Sequence, residues 1–135
     1  VEINFLIAEL SKYKNGLLQD HSIIKCMLKT LIIDEQVPWE DLGDGIQRKI
    51  MAYNETMMLV KVQFLAGAIG AVHQHPHTQA SYVSKGIFDI TIAGKTQRLG
   101  AGDVYFVPSG EVHGAVCIEK GELIDVFTPM REDFV

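Results

Sequence analysis

The sequence predicts a single all-β domain, built as a sandwich or barrel. From about residue 46 onward, short apolar runs alternate with breaks made of Gly, Pro, Asn and acidic residues, a rhythm typical of that class. No segment in this part shows the periodicity of a helix longer than one turn. With 135 residues, 47% of them apolar, the chain can form one hydrophobic core and is too short for two comfortable domains.

The N-terminal part of the chain differs from the rest. Apolar residues recur there at the spacing of one helix face, and Asn15-Gly16 follows as a stop signal. We therefore expect an N-terminal extension over residues 1–36 that contains a short helix, followed by the β domain over residues 37–135. Two alternatives stay open: residues 1–26 are an addition upstream of Met27, or they form a native helix that covers the barrel or a dimer seam. The residues of the helix face are Ile3, Leu6, Ile7 and Leu10.

Seven segments of the β domain have strand character, and turn-forming residues separate them. The predicted strands are residues 46–53, 57–65, 80–85, 87–93, 104–107, 112–118 and 123–128. The main breaks between them are residues 54–55, 93–95, 100–103, 108–111 and 120–122, which are rich in Gly, Pro, Asn and charged residues. This spacing predicts many short strands joined by tight connections.

Composition excludes several classes of partner. A net charge of −5 and a pI near 5.4 give no basic surface for nucleic acid or for an anionic membrane. The longest apolar run, residues 64–72, is much shorter than the roughly 20 residues of a membrane-spanning helix. Cys26 and Cys117 form no CxxC motif, so we expect no disulfide framework, a cytoplasmic location, and a buried, inert thiol at Cys117. The start of the chain also lacks the pattern of a secretory signal.

Histidines dominate one short stretch, "VHQHPHTQAS", in which three of the five histidines lie within five residues. In an extended chain alternate residues share a face, so these histidines begin on the same side as the following Gln79 and Ser81. A bend at Pro76 would let His73 and His75 converge with Gln79 and would redirect His77 to the rim. A further ligand must come from elsewhere, and His113 is the only other histidine in the strand-rich region.

Two spaced motifs in this region make the chain resemble the cupins. The first motif comprises Gly67, His73, His75, Gln79 and Gly86, and the second comprises Gly102, Pro108, Gly110 and His113. The resemblance implies a double-stranded β-helix, or jelly-roll barrel, that holds one divalent metal ion. It also implies that the ligands are His73, His75, Gln79 and His113. The sequence departs from the family at Gln79, where many cupins carry Glu, and at Cys117, where the second motif often ends in Asn.

A closer resemblance extends from Val37 to the end of the chain. The stretches "VPWEDLGDGIQRKIMAYNETMMLVKVQF", "HPHTQASYVSKG" and "EVHGAVCIEKGELIDVFTPMREDF" are similar to the bacterial pectin degradation proteins. That family implies a metal-dependent linearisation of cyclic 4,5-unsaturated monouronates, from pectin or alginate, to 5-keto-4-deoxyuronate. Its DxFxxxR arrangement implies that Asp125, Phe127 and Arg131 line the active site. A polar residue two positions after the amide ligand, here Ser81, is implied as well.

The implied residue types suit an acidic sugar. Three neutral imidazoles and an amide leave the full charge of the ion, whether Zn, Ni, Fe, Mn or Co, available to an anion. The guanidinium of Arg131 matches a carboxylate, and the ring of Phe127 would pack against the sugar. Asp125 is the predicted shuttle that carries a proton from the anomeric hydroxyl to carbon 4.

Two other functions and several structural interpretations stay open. A cupin dioxygenase would use iron to activate dioxygen, although the missing carboxylate ligand speaks against the usual site. A sugar-binding cupin without catalysis would keep the pocket and need no proton shuttle. Asp125 and Arg131 are then a polar group at the barrel mouth and a solvated charge near the C-terminus. Exposed strand edges also favour a homodimer.

Overall fold

The computed structural model describes residues 30–135, and the predicted N-terminal helix lies outside them. The described part contains eight strands and, besides them, only two single turns of 3-10 helix, Asp34–Gln36 and Glu132–Phe134. The predicted all-β class is therefore confirmed. Within residues 30–135 no helix has the length and apolar character needed to cross a membrane. The strands are β1 (Glu40–Gly43), β2 (Ile46–Asn54), β3 (Met57–Phe64), β4 (Ile69–His73), β5 (Thr78–Ile92), β6 (Lys95–Gly100), β7 (Val104–Val107) and β8 (His113–Thr128).

Two long strands organise the sandwich. β5 and β8 pair antiparallel over almost their whole lengths. The first half of β5 also pairs with β7 and its second half with β6. The first part of β8 pairs with β4, whereas its second part pairs with β3, which continues to β2 and β1. All eight strands thus belong to one continuous sheet, and each long strand contributes one half to each of its two parts.

Gly86 and Gly121 lie where the register between β5 and β8 shifts, at a bulge of the kind that bends a pair of strands. The sequence places breaks between strands at both positions, and that prediction is wrong because β5 and β8 run through them. Gly86 has a φ of +81°, and a Cβ there would come within 2.6 Å of the Gly121 Cα. A Cβ at Gly121 would overlap the Lys85 carbonyl oxygen and the Phe88 ring. Glycine therefore lets the two backbones approach closely at this bulge, while both strands continue through it.

Three strands do not appear among the predicted segments, namely β1, β4 and β6. The side chains of β1 are all exposed, and four of the six residues of β6 are exposed, so neither sequence shows the alternation of a half-buried strand. The proposed boundary between residues 36 and 37 stays a prediction. Asp34, on the N-terminal side of that boundary, pairs with Lys61 of β3 and Lys49 of β2.

The interior changes character along the same two strands. Alternation directs residues 79, 81 and 83 of β5 and residues 123, 125 and 127 of β8 inward. Apolar side chains fill one end, where Cys117 is a fully buried free thiol as predicted. Toward the other end the inward residues become polar, and these are Gln79, Ser81 and Asp125. The main apolar cluster comprises Phe64, Ala68, Val83, Phe88, Ile90, Cys117 and Leu123.

Candidate metal centre and its cavity

The structure brings together three of the predicted ligands at the polar end. His73 ends β4 and lies opposite His113, the first residue of β8, while His75 follows β4 in the loop to β5. One ring nitrogen from each of the three lies within 4.8 Å of the others. His77 is not part of this group, and its ring centroid lies 5.4 Å from that of His75. The histidine stretch therefore divides as the sequence indicates, with two residues in the cluster and one beside it.

Backbone contacts leave one nitrogen of each clustered ring free to bind an ion. Nδ1 of His73, His75 and His113 lies 2.8, 3.1 and 2.9 Å from a backbone carbonyl oxygen. Because a carbonyl only accepts, Nδ1 carries the proton and Nε2 keeps its lone pair. Burial lowers the pKa of His75 and His113, which favours their neutral form. The carbonyls belong to Ala71, His77 and Glu111, respectively.

Unpartnered acceptors in this cluster fit a divalent metal. Nε2 of His113 is buried and has no hydrogen-bond partner within the described part of the chain. Nε2 of His75 lies 3.1 Å from Oε1 of Gln79, although both atoms are acceptors once Nδ1 holds the proton. Two adjacent ligands of one ion, each about 2.1 Å from it, lie about this far apart. Donors of three nitrogens and one oxygen suit several transition metals and do not select one.

A hydrogen-bonded chain links the amide to a buried carboxyl group. Ser81 on β5 lies opposite Asp125 on β8, and its hydroxyl donates to Oδ1 at 2.5 Å. The Gln79 amide donates to the Ser81 oxygen at 2.9 Å. Burial raises the pKa of Asp125 to about 6, against the opposing effects of the Ser81 bond and the Arg131 charge. A carboxyl group with such a pKa can both take up and release a proton near neutral pH.

Arg131 reaches this end of the sandwich from the C-terminal segment. Its guanidinium lies 5.3 Å from the ring centroid of Phe127. Nε and Nη2 donate to the two carboxylate oxygens of Asp133, at 2.9 and 2.7 Å. This ion pair lowers the pKa of Asp133 to about 2. Arg131, which the sequence predicts to bind the carboxylate of a ligand, therefore already binds the carboxylate of Asp133.

Most of these groups line one cavity of 190 Å³. Its volume is below the several hundred cubic ångströms typical of sites for drug-sized ligands, so it suits one small molecule. The sequence-predicted residues that line it are His73, Gln79, His113, Asp125, Phe127 and Arg131. Of the other two, His75 belongs to the nitrogen cluster, and Ser81 holds Asp125 from the adjacent position on β5.

Two polar residues of the cavity wall were missed by sequence reasoning, namely Tyr105 and Arg48. Tyr105 lies on β7 opposite Ser81, and its hydroxyl interacts with Ser81 and Gln79. Burial raises the pKa of this phenol above its usual range. Alternation along the predicted strand 104–107 would have placed Tyr105 inward with Val107. Arg48 had a comparable signal, because it takes an apolar position of the pattern on β2.

Comparison with known proteins agrees with this architecture. A family model described as "Cupin domain" matches residues 60–127. Over 110 residues the chain is 44% identical to the pectin degradation protein KdgF of Dickeya dadantii (strain 3937), covering 80% of this chain and 100% of that protein.

Solved structures of other proteins have the same fold. An RmlC-like cupin from Shewanella frigidimarina NCIMB 400 has a TM-score of 0.78 at 46% identity, covering 79% of this chain and 96% of that one. KdgF from Halomonas sp. has a TM-score of 0.77 at 39% identity, covering 79% and 99%. The similarity thus spans nearly the full length of both relatives.

Proposed function

The chain belongs to the cupin family and, within it, to the family of the pectin degradation protein KdgF, and from this we propose that it linearises 4,5-unsaturated monouronates. These sugar acids are released from pectin or alginate, and the product is 5-keto-4-deoxyuronate. Since atoms are only rearranged, the reaction is an isomerisation with ring opening. The homodimer and the cytoplasmic location inferred from the sequence stay predictions.

One observation carries this proposal, namely a proton-exchanging carboxyl group in the cavity of the histidine cluster. Asp125 lines the same 190 Å³ cavity as His73 and His113. Its pKa of about 6 lies well above that of an exposed Asp because the group is buried. A purely structural ion site has no need of an acid of this kind, whereas a reaction that moves a proton between two atoms of one substrate does.

The proposed ligands of the ion are His73, His75, Gln79 and His113. When bound, a divalent ion would act as a Lewis acid toward an oxygen of the sugar. The backbone carbonyls that hold Nδ1 of each histidine fix its ring orientation. Gln79 donates its amide N–H to Ser81, which directs its Oε1 toward the nitrogen cluster.

Asp125 performs the proton transfer in this proposal. Its carboxylate takes the proton of the anomeric hydroxyl as the C1–O bond of the ring breaks and a C1 carbonyl forms. The resulting enolate at C5 accepts that proton at C4, which restores the carboxylate and leaves a ketone at C5. Ser81 occupies Oδ1, so Oδ2 is the oxygen available for the transfer. Phe127 packs against the sugar, and Arg131 faces its carboxylate.

Replacement of the carboxyl group tests the proposal directly. Asp125→Asn should reduce turnover of an unsaturated monouronate by at least about a hundredfold, the usual effect of losing a general acid-base group. Turnover is followed as loss of the ultraviolet absorbance of the conjugated acid. Asp89→Asn is the matched control, because Asp89 forms an exposed ion pair with Arg98 on β6. Unchanged turnover in Asp125→Asn would refute this role, and oxygen consumption would indicate a dioxygenase.

A further inference from the structure

Arg48 is a largely enclosed cation in the wall of the cavity, and the proposed reaction does not use it. On β2 its neighbours on the same face are Ile46 and Ile50, so the strand places it inward among apolar positions. Only 12% of its side chain is exposed. It lines the cavity together with His73 and Asp125. A charge that is removed from water to this extent is costly unless a group of opposite charge pairs with it.

The only ion pair of Arg48 among the described residues is with an exposed carboxylate. Nε and Nη2 donate to the two oxygens of Glu40 at 2.7 and 3.2 Å, and 53% of the Glu40 side chain is exposed. Arg131 repeats this arrangement with Asp133, whose side chain is 59% exposed. The two guanidinium carbons lie 3.9 and 4.3 Å from the ring centroid of Phe134. The cavity wall therefore has two cations that contact the same aromatic ring, and each is held by an acid that solvent can reach.

Exposure of the acids makes both ion pairs exchangeable. A carboxylate that leaves such a pair regains its hydration, so the pair contributes little to stability. A ligand carboxylate inside the cavity is less hydrated, and a paired, charge-assisted contact with a guanidinium there is among the stronger hydrogen bonds. Exchange of Glu40 for the ligand is therefore favourable when the ligand is an acid and is not favourable when it is neutral.

We propose that Arg48 is a specificity-determining residue, which binds the carboxylate of an acidic sugar after that carboxylate displaces Glu40 from the guanidinium. The identity of the sugar rests on the proposed function, whereas the preference for an acid rests on Arg48 itself. Arg48 and Arg131 then hold the carboxylate end of the ligand, while Asp125 meets its reacting atoms. Selection between an acidic and a neutral sugar takes place at the side of the cavity formed by β2.

Kinetic constants of paired variants test this assignment. Arg48→Gln should raise KM for the unsaturated uronate by about tenfold or more, because a charge-assisted bond is lost on binding. Since Arg48 does not touch the reacting atoms, kcat should stay within about threefold. Arg48→Lys, which keeps the charge and loses the planar fork, should be intermediate. Arg98→Gln is the control, because Arg98 forms the same two bonds to Asp89 at the surface.

Glu40→Gln distinguishes binding from a structural role. If Glu40 is displaced by the ligand, its neutral replacement should lower KM by about two- to fivefold, since less competition remains at the guanidinium. If Glu40 only holds Arg48 in position, KM should rise. Unfolding midpoints of all variants show whether each still folds. A rise in KM for Glu40→Gln, or an unchanged KM for Arg48→Gln, would overturn the proposal.

Calorimetry with D-galacturonate separates this proposal from the proposed function. This saturated uronate lacks the double bond, so its binding needs no turnover. The protein with its native metal should bind D-galacturonate more tightly than neutral D-galactose, and Arg48→Gln should remove that preference while Arg98→Gln keeps it. The proposed function fails if no unsaturated uronate is turned over. The role of Arg48 fails if the preference is absent or survives in Arg48→Gln.

Discussion

The two ends of the sandwich interior are built by the same pair of strands, yet they are held together by different forces. At one end, Val83 of β5 packs with Leu123 of β8, and both side chains are almost fully buried. Only one step of alternation away, Ser81 and Asp125 are also buried but meet through a hydrogen bond of 2.5 Å. The change from an apolar to a polar pair takes place within a single ladder.

This contrast shows what each end tolerates. An apolar end depends on volume, because close-packed atoms lose contacts or overlap when a side chain changes size. A polar end depends on partners, because a buried donor or acceptor that loses its partner costs more than the bond had contributed. Variants at the polar end should therefore change chemistry first, and variants at the apolar end should change the free energy of unfolding first.

Loss of a clustered histidine should have the largest effect at the polar end. His113→Ala removes one of the three converging ring nitrogens. Turnover and bound metal should both fall by more than a hundredfold, since even the loss of a group that orients a ligand costs about 10- to 100-fold. Elemental analysis and the uronate assay measure the two quantities. His77→Ala is the control, and equal metal content in both variants would contradict the ligand assignment.

Gly121→Ala should be the most damaging small change at the apolar end. The added Cβ would overlap the Lys85 carbonyl oxygen and the Phe88 ring, so β5 and β8 would have to separate at their bend. We expect a loss of about 3 kcal/mol in the free energy of unfolding, measured in urea, which is at the upper end for overpacking. Gly100→Ala serves for comparison, because a Cβ there meets no atom within 4 Å. A loss below 1 kcal/mol for Gly121→Ala would show that the bend is not close-packed.

The comparison also explains how much of the fold could be predicted from the sequence. Alternating apolar residues located β2, β3 and β7 closely, because a half-buried strand has apolar residues on its inner face and polar residues on its outer face. Gly86 and Gly121 were assigned to breaks because glycine marks turns and close approaches alike, and only the partner strand distinguishes them. β6 was missed because an exposed edge places few demands on residue type.

The candidate site was predictable where a motif fixes residue type, and less so elsewhere. The histidines stand at motif positions, and the structure brings His73, His75 and His113 together. Arg48 and Tyr105 stand in no motif; alternation along their strands indicates that they point inward, but only the pairing of the strands places them at this cavity. Likewise, the DxFxxxR pattern pointed to Arg131 but not to Asp133, which occupies its guanidinium.

The buried carboxyl group of Asp125 should make the difference in stability between the wild type and Asp125→Asn depend on pH. The pKa of Asp125 is about 6 in the folded protein and 3.8 for an exposed Asp. Between these values the folded state holds a proton that the unfolded state has released, so this group's contribution to stability is lost as pH rises from about 4 to 6. At 1.36 kcal/mol per pKa unit, Asp125→Asn should gain about 2–3 kcal/mol relative to the wild type between pH 4 and pH 7.

This difference is measured in urea with metal-free protein, so that an ion does not mask it. Burial lowers the pKa of His75 and His113 and gives both proteins the opposite trend, because these rings are neutral when folded and charged when unfolded in acid. Subtracting the free energy of unfolding of the wild type from that of Asp125→Asn at each pH removes this shared contribution of the histidines. A difference that does not change with pH would mean that Asp125 is not perturbed in the folded protein.

The smallest effect we expect comes from Tyr105→Phe, which removes one hydroxyl from the polar end. That hydroxyl interacts with Ser81, whose own proton is directed to Asp125. With the Gln79 amide donating to its oxygen, the Ser81 hydroxyl directs its own proton to the Asp125 carboxylate. Loss of the Tyr105 hydroxyl from this group should cost about 1 kcal/mol, or roughly fivefold in kcat, with little change in KM.

Tyr82→Phe is the matched control for this variant. Tyr82 neighbours Ser81 on β5 but points to the opposite, exposed side of the sheet. Its kcat should therefore equal that of the wild type. If Tyr105→Phe instead raised KM and left kcat unchanged, the phenol would contact the substrate rather than orient Ser81. In that case only Gln79 and Asp125 would orient the Ser81 hydroxyl, and Tyr105 of the third strand, β7, would contribute only to substrate binding.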